Sequence, residues 1–225
     1  MDSTQDSAAS HDDDVDPPSI WEFTIPREVL ALPVGERFQR AVKRVQDFHD
    51  ATGLQRQYSE PLIPASGLSE LELRELEAEV GIELPAEYRL FLQSWRYLVI
   101  MNGYHVLGVG SPFGFRPGVF TEYDAAGRKR RLLSCGIFDY ESGGDSLVLD
   151  LDDPAAPAFV WLHDFVELRP LAGSFSLALC RMVEYLLNPE DLEHTVQSTR
   201  EEVESRLAND LLPPWKRLLK IIFSR

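Results

Sequence analysis

Asp139, Glu141, Asp145, Asp150, Asp152 and Asp153 put six carboxylates into residues 139–153. Carboxylates grouped this closely can hold a hard cation, move protons, or offer negative charge to a basic partner. The cation reading is weak: Asp150 and Asp152 stand two apart on one strand face, and the loop spacing does not match an EF-hand. A solvated strand face accounts for the same residues. His163-Asp164 is an adjacent acid–base pair. Neighbours on a strand point to opposite faces, so these two are not expected to cooperate. His163 shares its face with Phe159 and Trp161 and is expected to pack. Cys135 and Cys180 sit in apolar runs without metal-site spacing, which predicts buried, reduced thiols. His49 has no second ligand one helical turn away. Ser174 reads as a helix cap. The sequence has no nucleophile elbow, phosphate loop or zinc spacing. No catalytic residue, metal or cofactor is therefore expected. The six carboxylates remain as candidate partner-contact residues, with a charged hairpin edge that resists aggregation as the equally good alternative.

The formal net charge of −15 supports the contact reading and excludes general nucleic-acid binding, because phosphates repel an acidic surface. Solubility alone is the plain alternative. Residues 1–19 carry six aspartates and no Lys or Arg, and are expected to be a disordered acidic tail. Nothing there resembles a secretory signal, and no run is long enough for a membrane span, so the cytoplasm is the expected compartment.

The elements that must position these residues are legible from periodicity. A helix is expected over about 35–51, with Phe38, Val42, Val45 and Phe48 or His49 as its apolar stripe and Gly53 as its stop. Ser69 and Glu72 form a capping-box pattern, and Gly81 closes that helix. Pro85 opens the next, with Tyr88, Phe91, Leu92 and Trp95 on one face. The period then changes. Tyr97–Met101 and Tyr104–Val109 flank an Asn102-Gly103 turn. Val119–Tyr123 is a short strand candidate, and 127–131 reads as a basic, solvated turn. Leu132–Tyr140, Ser146–Asp152 and Phe159–Asp164 form an expected antiparallel meander. Leu147, Leu149 and Leu151 face one way and Val148, Asp150 and Asp152 the other. A helix over 175–187 follows. Beyond it, Leu192, Val196, Val203 and Leu207 suggest a polar helix. Pro213-Pro214 opens a last, basic one with Lys216, Arg217, Lys220 and Arg225, which either packs back on the domain or docks on an anionic surface.

The segment LEAEVGIELPAEYRLFL (76–92) resembles the signature of the SUKH superfamily, which includes the fungal Smi/Knr cell-wall regulators and many bacterial immunity proteins. The matching residues are Leu84, Pro85, Glu87, Tyr88, Arg89, Phe91 and Leu92. FDYESGGDSLVLDL (138–151) is similar to the family's strand pair around a Gly-Asp turn, and LAGSFSLALCRMVEYLL (171–187) to its C-terminal helix. The family's Asn-Gly-Gly appears here only as Asn102-Gly103-Tyr104, later than usual. The resemblance implies an α+β fold, helices on a mostly antiparallel sheet, over 20–190 with its core at 66–187. Residues 191–225 then form a helical C-terminal extension. It also implies protein binding without catalysis, as in an immunity protein that neutralises a toxin. A nuclease toxin must be basic to hold its substrate, so an acidic inhibitor suits it. A regulatory scaffold for an endogenous partner, and an enzyme with an unrecognised site, are the other readings.

Overall fold

The computed structural model describes residues 19–101, 105–138 and 144–210. The acidic tail, the Asn102-Gly103 turn, Asp139, Glu141 and the basic helix expected after Pro213-Pro214 lie outside those residues.

Six helices and seven strands make up the described chain: α1 (Arg27–Leu30), α2 (Val34–Thr52), α3 (Glu70–Val80), α4 (Ala86–Ser94), β1 (Tyr97–Val99), β2 (His105–Gly108), β3 (Gly118–Tyr123), β4 (Lys129–Phe138), β5 (Ser146–Asp150), β6 (Ala158–Leu162), β7 (Glu167–Ala172), α5 (Phe175–Leu186) and α6 (Pro189–Asp210). A 3-10 turn, Leu54–Gln57, follows α2. The strands form one antiparallel sheet in the order β1-β2-β4-β5-β6-β7, with β3 also paired to β4. This is an α+β fold with helices on an antiparallel sheet, as the sequence led us to expect.

Local chemistry explains the helix ends. Ser69 Oγ accepts from the Glu72 N–H, and the Glu72 carboxylate accepts from the Ser69 N–H at 2.8 Å, so two otherwise orphaned donors are satisfied at the start of α3. Gly81 ends that helix at φ +73°, where a Cβ would be strained, and Gly53 ends α2 at φ +71°. Pro85 serves as the cap of α4 rather than its first turn; Ala86 is the first helical residue.

Packing then selects the architecture. α2 turns Phe38, Ala41, Val42, Val45, Phe48 and His49 inward. Phe38 meets Phe91 of α4 at 5.7 Å and Phe175 of α5 at 5.9 Å between ring centroids, in tilted or edge geometries that aromatic quadrupoles favour. Leu133, Leu147, Leu149 and Val160 bring the sheet to this core. Buried Glu184 of α5 ties the helix layer together through ion pairs with Arg40 and Arg44 of α2. α6 lies along α2 and the 3-10 turn: Val203 is buried and the Arg200 guanidinium donates to the Ala51 carbonyl at 2.7 Å.

The other sheet face holds a smaller cluster: Leu132, Val148, Phe159 and Leu168, with Phe120 and Trp161 packed on them. The sheet curls over it, bringing the Phe120 and Trp161 rings to 5.4 Å.

Three sequence expectations change. The third meander strand ends at Leu162, not Asp164. A further strand, β7, runs through Pro170. Pro170 is tolerated because β7 pairs only with β6, so a missing N–H costs no central ladder bond. The basic run 127–131 is largely exposed, as expected, but only its start is a turn. Lys129–Arg131 belong to β4, and the turn is Asp124–Arg128.

Candidate functional site

The β4–β5 register decides the fate of the acidic hairpin. Leu132 lies opposite Asp150, which sets Arg130 and Arg131 beside Asp150 and Asp152. Asp150 has no solvent exposure. It forms an ion pair with Arg130 and accepts the Asp152 N–H at 3.0 Å. Arg130 also donates to Asp124 at 2.9 Å and lies over the Phe159 ring at 5.4 Å. Asp124 is the hub of its turn. The Arg128 backbone N–H, the Arg130 and Arg128 guanidinium groups and the Ala126 N–H hold its carboxyl down at about 2. Asp152 keeps its carboxylate half exposed and accepts the Arg131 N–H at 2.9 Å. Asp153 is exposed and accepts the Ala155 N–H at 2.9 Å, closing the β5–β6 turn.

Asp145 is buried too. It accepts the His163 N–H at 3.2 Å and lies 3.4 Å from His163 Nδ1. The six residues named from sequence are thus not gathered into one exposed patch. Asp145 and Asp150 point inward, Asp152 and Asp153 face solvent, and Asp139 and Glu141 are outside the described residues. Arginines of the chain itself pair with two of the carboxylates a basic partner was expected to meet, Asp150 and Asp152.

His163 and Asp164 do meet, contrary to the strand argument. Both lie in the 163–166 turn, where alternation no longer applies, and His163 Nε2 is 2.9 Å from Asp164 Oδ1. The imidazole is held between a buried and an exposed carboxylate. Gly144 makes this possible: a Cβ there would sit 2.8 Å from His163 Cε1. The Gly144-Asp145 pair therefore locks one hairpin turn to the next.

The 84–92 signature has an equally architectural role. Tyr88 and Phe91 are fully buried, the Tyr88 ring 5.1 Å from that of Phe175. Arg89 clamps the α3–α4 corner through Glu70 at 2.7 Å and Glu77 at 3.2 Å. Glu87 accepts the Ser176 N–H at 2.8 Å and so caps α5 from another helix, satisfying an orphan donor at its dipole's positive end. Ser174, expected to be that cap, makes no capping bond. Glu87, Ser174 and Phe175 line a cleft of about 320 Å³ between Pro85–Glu87, Pro154–Ala156 and Gly173–Phe175.

Both thiols and His49 are withdrawn from solvent. Cys135 and Cys180 are buried and free, and burial pushes both thiols up, Cys180 to about 11. His49 is buried with Nε2 3.1 Å from the Ile100 carbonyl, and burial lowers its pKa from the ordinary 6.5. The unfolded chain then takes up this proton first, so stability is retained above pH 6.5 and falls as pH drops below it. Wild-type protein is expected to lose unfolding midpoint between about pH 7 and pH 5 by more than His49→Gln does. Parallel curves for the two would assign the loss to other groups. Among the described residues, no three His, Cys, Asp or Glu side chains are placed to share a metal, and no helix is long and apolar enough to cross a membrane.

With the corner, the Gly-Asp turn and the α5 cap in place, the comparison with protein families is decisive: the model of the SMI1 / KNR4 family (SUKH-1) matches residues 67–180. The chain belongs to this family. Neither the curated proteins nor the solved structures provide a significant match. The SUKH-1 match begins just before α3 and ends within α5. α2 and α6 lie outside it, yet α2 supplies Phe38 to the central aromatic cluster. What sequence reasoning missed in this SUKH-1 domain was the internal pairing of its acidic residues. A signal was there: the basic run 128–131 and the acidic run 150–153 stand symmetrically about one hairpin.

Proposed function

We propose that this SUKH-1 chain is a non-catalytic protein-binding domain of the immunity type, which neutralises a toxin by holding it in a stoichiometric complex. The observation that carries the reading is the use of the ionisable groups. Asp145, Asp150 and Glu184 are buried in internal pairs, both thiols are buried, and the signature residues build the fold. What the domain offers outward is surface, and the chain as a whole is acidic, with a formal net charge of −15 to which the six aspartates of residues 1–19 contribute. A basic toxin domain, as a nuclease must present to its substrate, is the complementary partner, and charge of this kind accelerates encounter.

The test is to purify the protein encoded by the neighbouring reading frame and mix it with this chain. A 1:1 complex on size exclusion is the expected result. No complex with that protein, together with a complex formed by an endogenous regulator, would replace the immunity reading by a scaffold. Within a complex, Asp152→Lys is expected to slow association at low ionic strength and leave folding intact, since Asp152 is half exposed. An on-rate with unchanged salt dependence would remove Asp152 from the contact surface.

A further inference from the structure

The turn between β6 and β7 has a feature that folding does not explain. Val166 adopts φ +48°, the left-handed region that a β-branched side chain occupies only under strain. Its side chain gains nothing from the core in return. Val166 is 62% exposed and its neighbour Phe165 60% exposed, the second and third most exposed large apolar residues among those described, after Leu71 at 66%. A glycine at 166 would relieve the backbone and remove exposed apolar surface.

The strained tip is also held in place. Buried Asp145 accepts the His163 N–H, the His163 ring packs against Gly144, and the Val166 N–H donates to the His163 carbonyl at 3.3 Å. Two apolar side chains are thus presented outward from a turn anchored to the neighbouring hairpin. Asp164 lies beside them with a half-exposed carboxylate, and Glu167 follows.

We infer that Phe165 and Val166 are the apolar anchor through which this domain engages its protein partner, inserting into an apolar pocket with basic residues at its rim. The basic rim follows from Asp164, whose carboxylate stays half exposed beside the pair; Glu167, on the other side, is already held by Arg169 at 2.9 Å. Pre-ordering of the tip lowers the entropy lost on binding, which is what strain at an exposed turn can return. The inference rests on the protein-binding reading proposed above and names its contact point.

The experiment compares wild type, Phe165→Ser, Val166→Gly and, as a distant control, Leu71→Ser, each titrated calorimetrically with the purified product of the neighbouring reading frame and each melted alone. Phe165→Ser and Val166→Gly are expected to weaken binding by roughly tenfold or more, while Leu71→Ser leaves it unchanged. Val166→Gly is expected to raise the melting midpoint, so its lost affinity cannot come from unfolding. If wild type binds and both tip variants bind equally well, the anchor is elsewhere and the binding reading survives. If wild type itself does not bind, the binding reading fails and the anchor with it.

Discussion

Asp150→Asn is expected to destabilise the fold by about 3 kcal/mol, whereas Asp152→Asn, two residues along, stays within about 0.5 kcal/mol of wild type. The two differ in environment, not in chemistry. Asp150 is fully buried against the part-buried Arg130, and removing its charge leaves that guanidinium short of one partner. The cost falls at the low end for a broken buried pair because Asp124 still holds Arg130. Asp152 keeps half its carboxylate in water, where an ion pair is worth little. Urea unfolding of both variants at neutral pH measures the difference. Equal, small shifts would place Asp150 on the surface and return it to the contact patch.

Phe91→Ala is the second large effect, about 3–5 kcal/mol. Phe91 is fully buried, with ring centroids of Phe38, Phe175 and Trp95 at 5.7, 5.4 and 6.0 Å. Three elements, α2, α4 and α5, converge there, so truncation leaves a cavity that none can close alone. Against a domain stability of about 5–15 kcal/mol, that loss removes a large share. Phe91→Leu keeps most of the volume and should cost about 1 kcal/mol. Denaturant midpoints with unchanged slopes would confirm a packing loss. A Phe91→Ala protein as stable as wild type would show that the cluster is not the centre of the core.

The reading of the fold from sequence succeeded where the signal is local. The α2 stripe, the Tyr88, Phe91 and Leu92 stripe of α4, the Ser69–Glu72 box and the Gly81 stop are properties of a few consecutive residues, and each appears as expected; Trp95, expected on the α4 face, lies just past the helix in extended backbone. β5 alternates because one of its faces meets the main core and the other the small cluster around Val148. β7 escaped notice because Pro170, Glu167 and Arg169 make an edge strand look like a loop. The turn at His163 escaped because an apolar run has no visible end when the turn itself carries Phe165 and Val166. The fate of the carboxylates was harder to read, since it depends on register. One hairpin alignment decides whether Asp150 sees water or Arg130. The Glu87 cap on α5 joins residues 89 apart and leaves no local trace. The family signature was legible as a pattern long before its residues could be given physical roles.

The chain belongs to the SUKH-1 family, the structure gives its signature residues roles in building the fold, and the reading proposed from both is protein binding. Binding and catalysis differ most sharply in stoichiometry. The direct measurement is to titrate this chain against a fixed amount of the protein encoded by the neighbouring reading frame and follow that protein's toxic activity. A stoichiometric blocker is predicted to abolish activity at one equivalent, with a linear fall before it. Complete suppression by a small fraction of an equivalent would mean turnover, and no suppression at a large excess would mean no such partnership; either result contradicts the account.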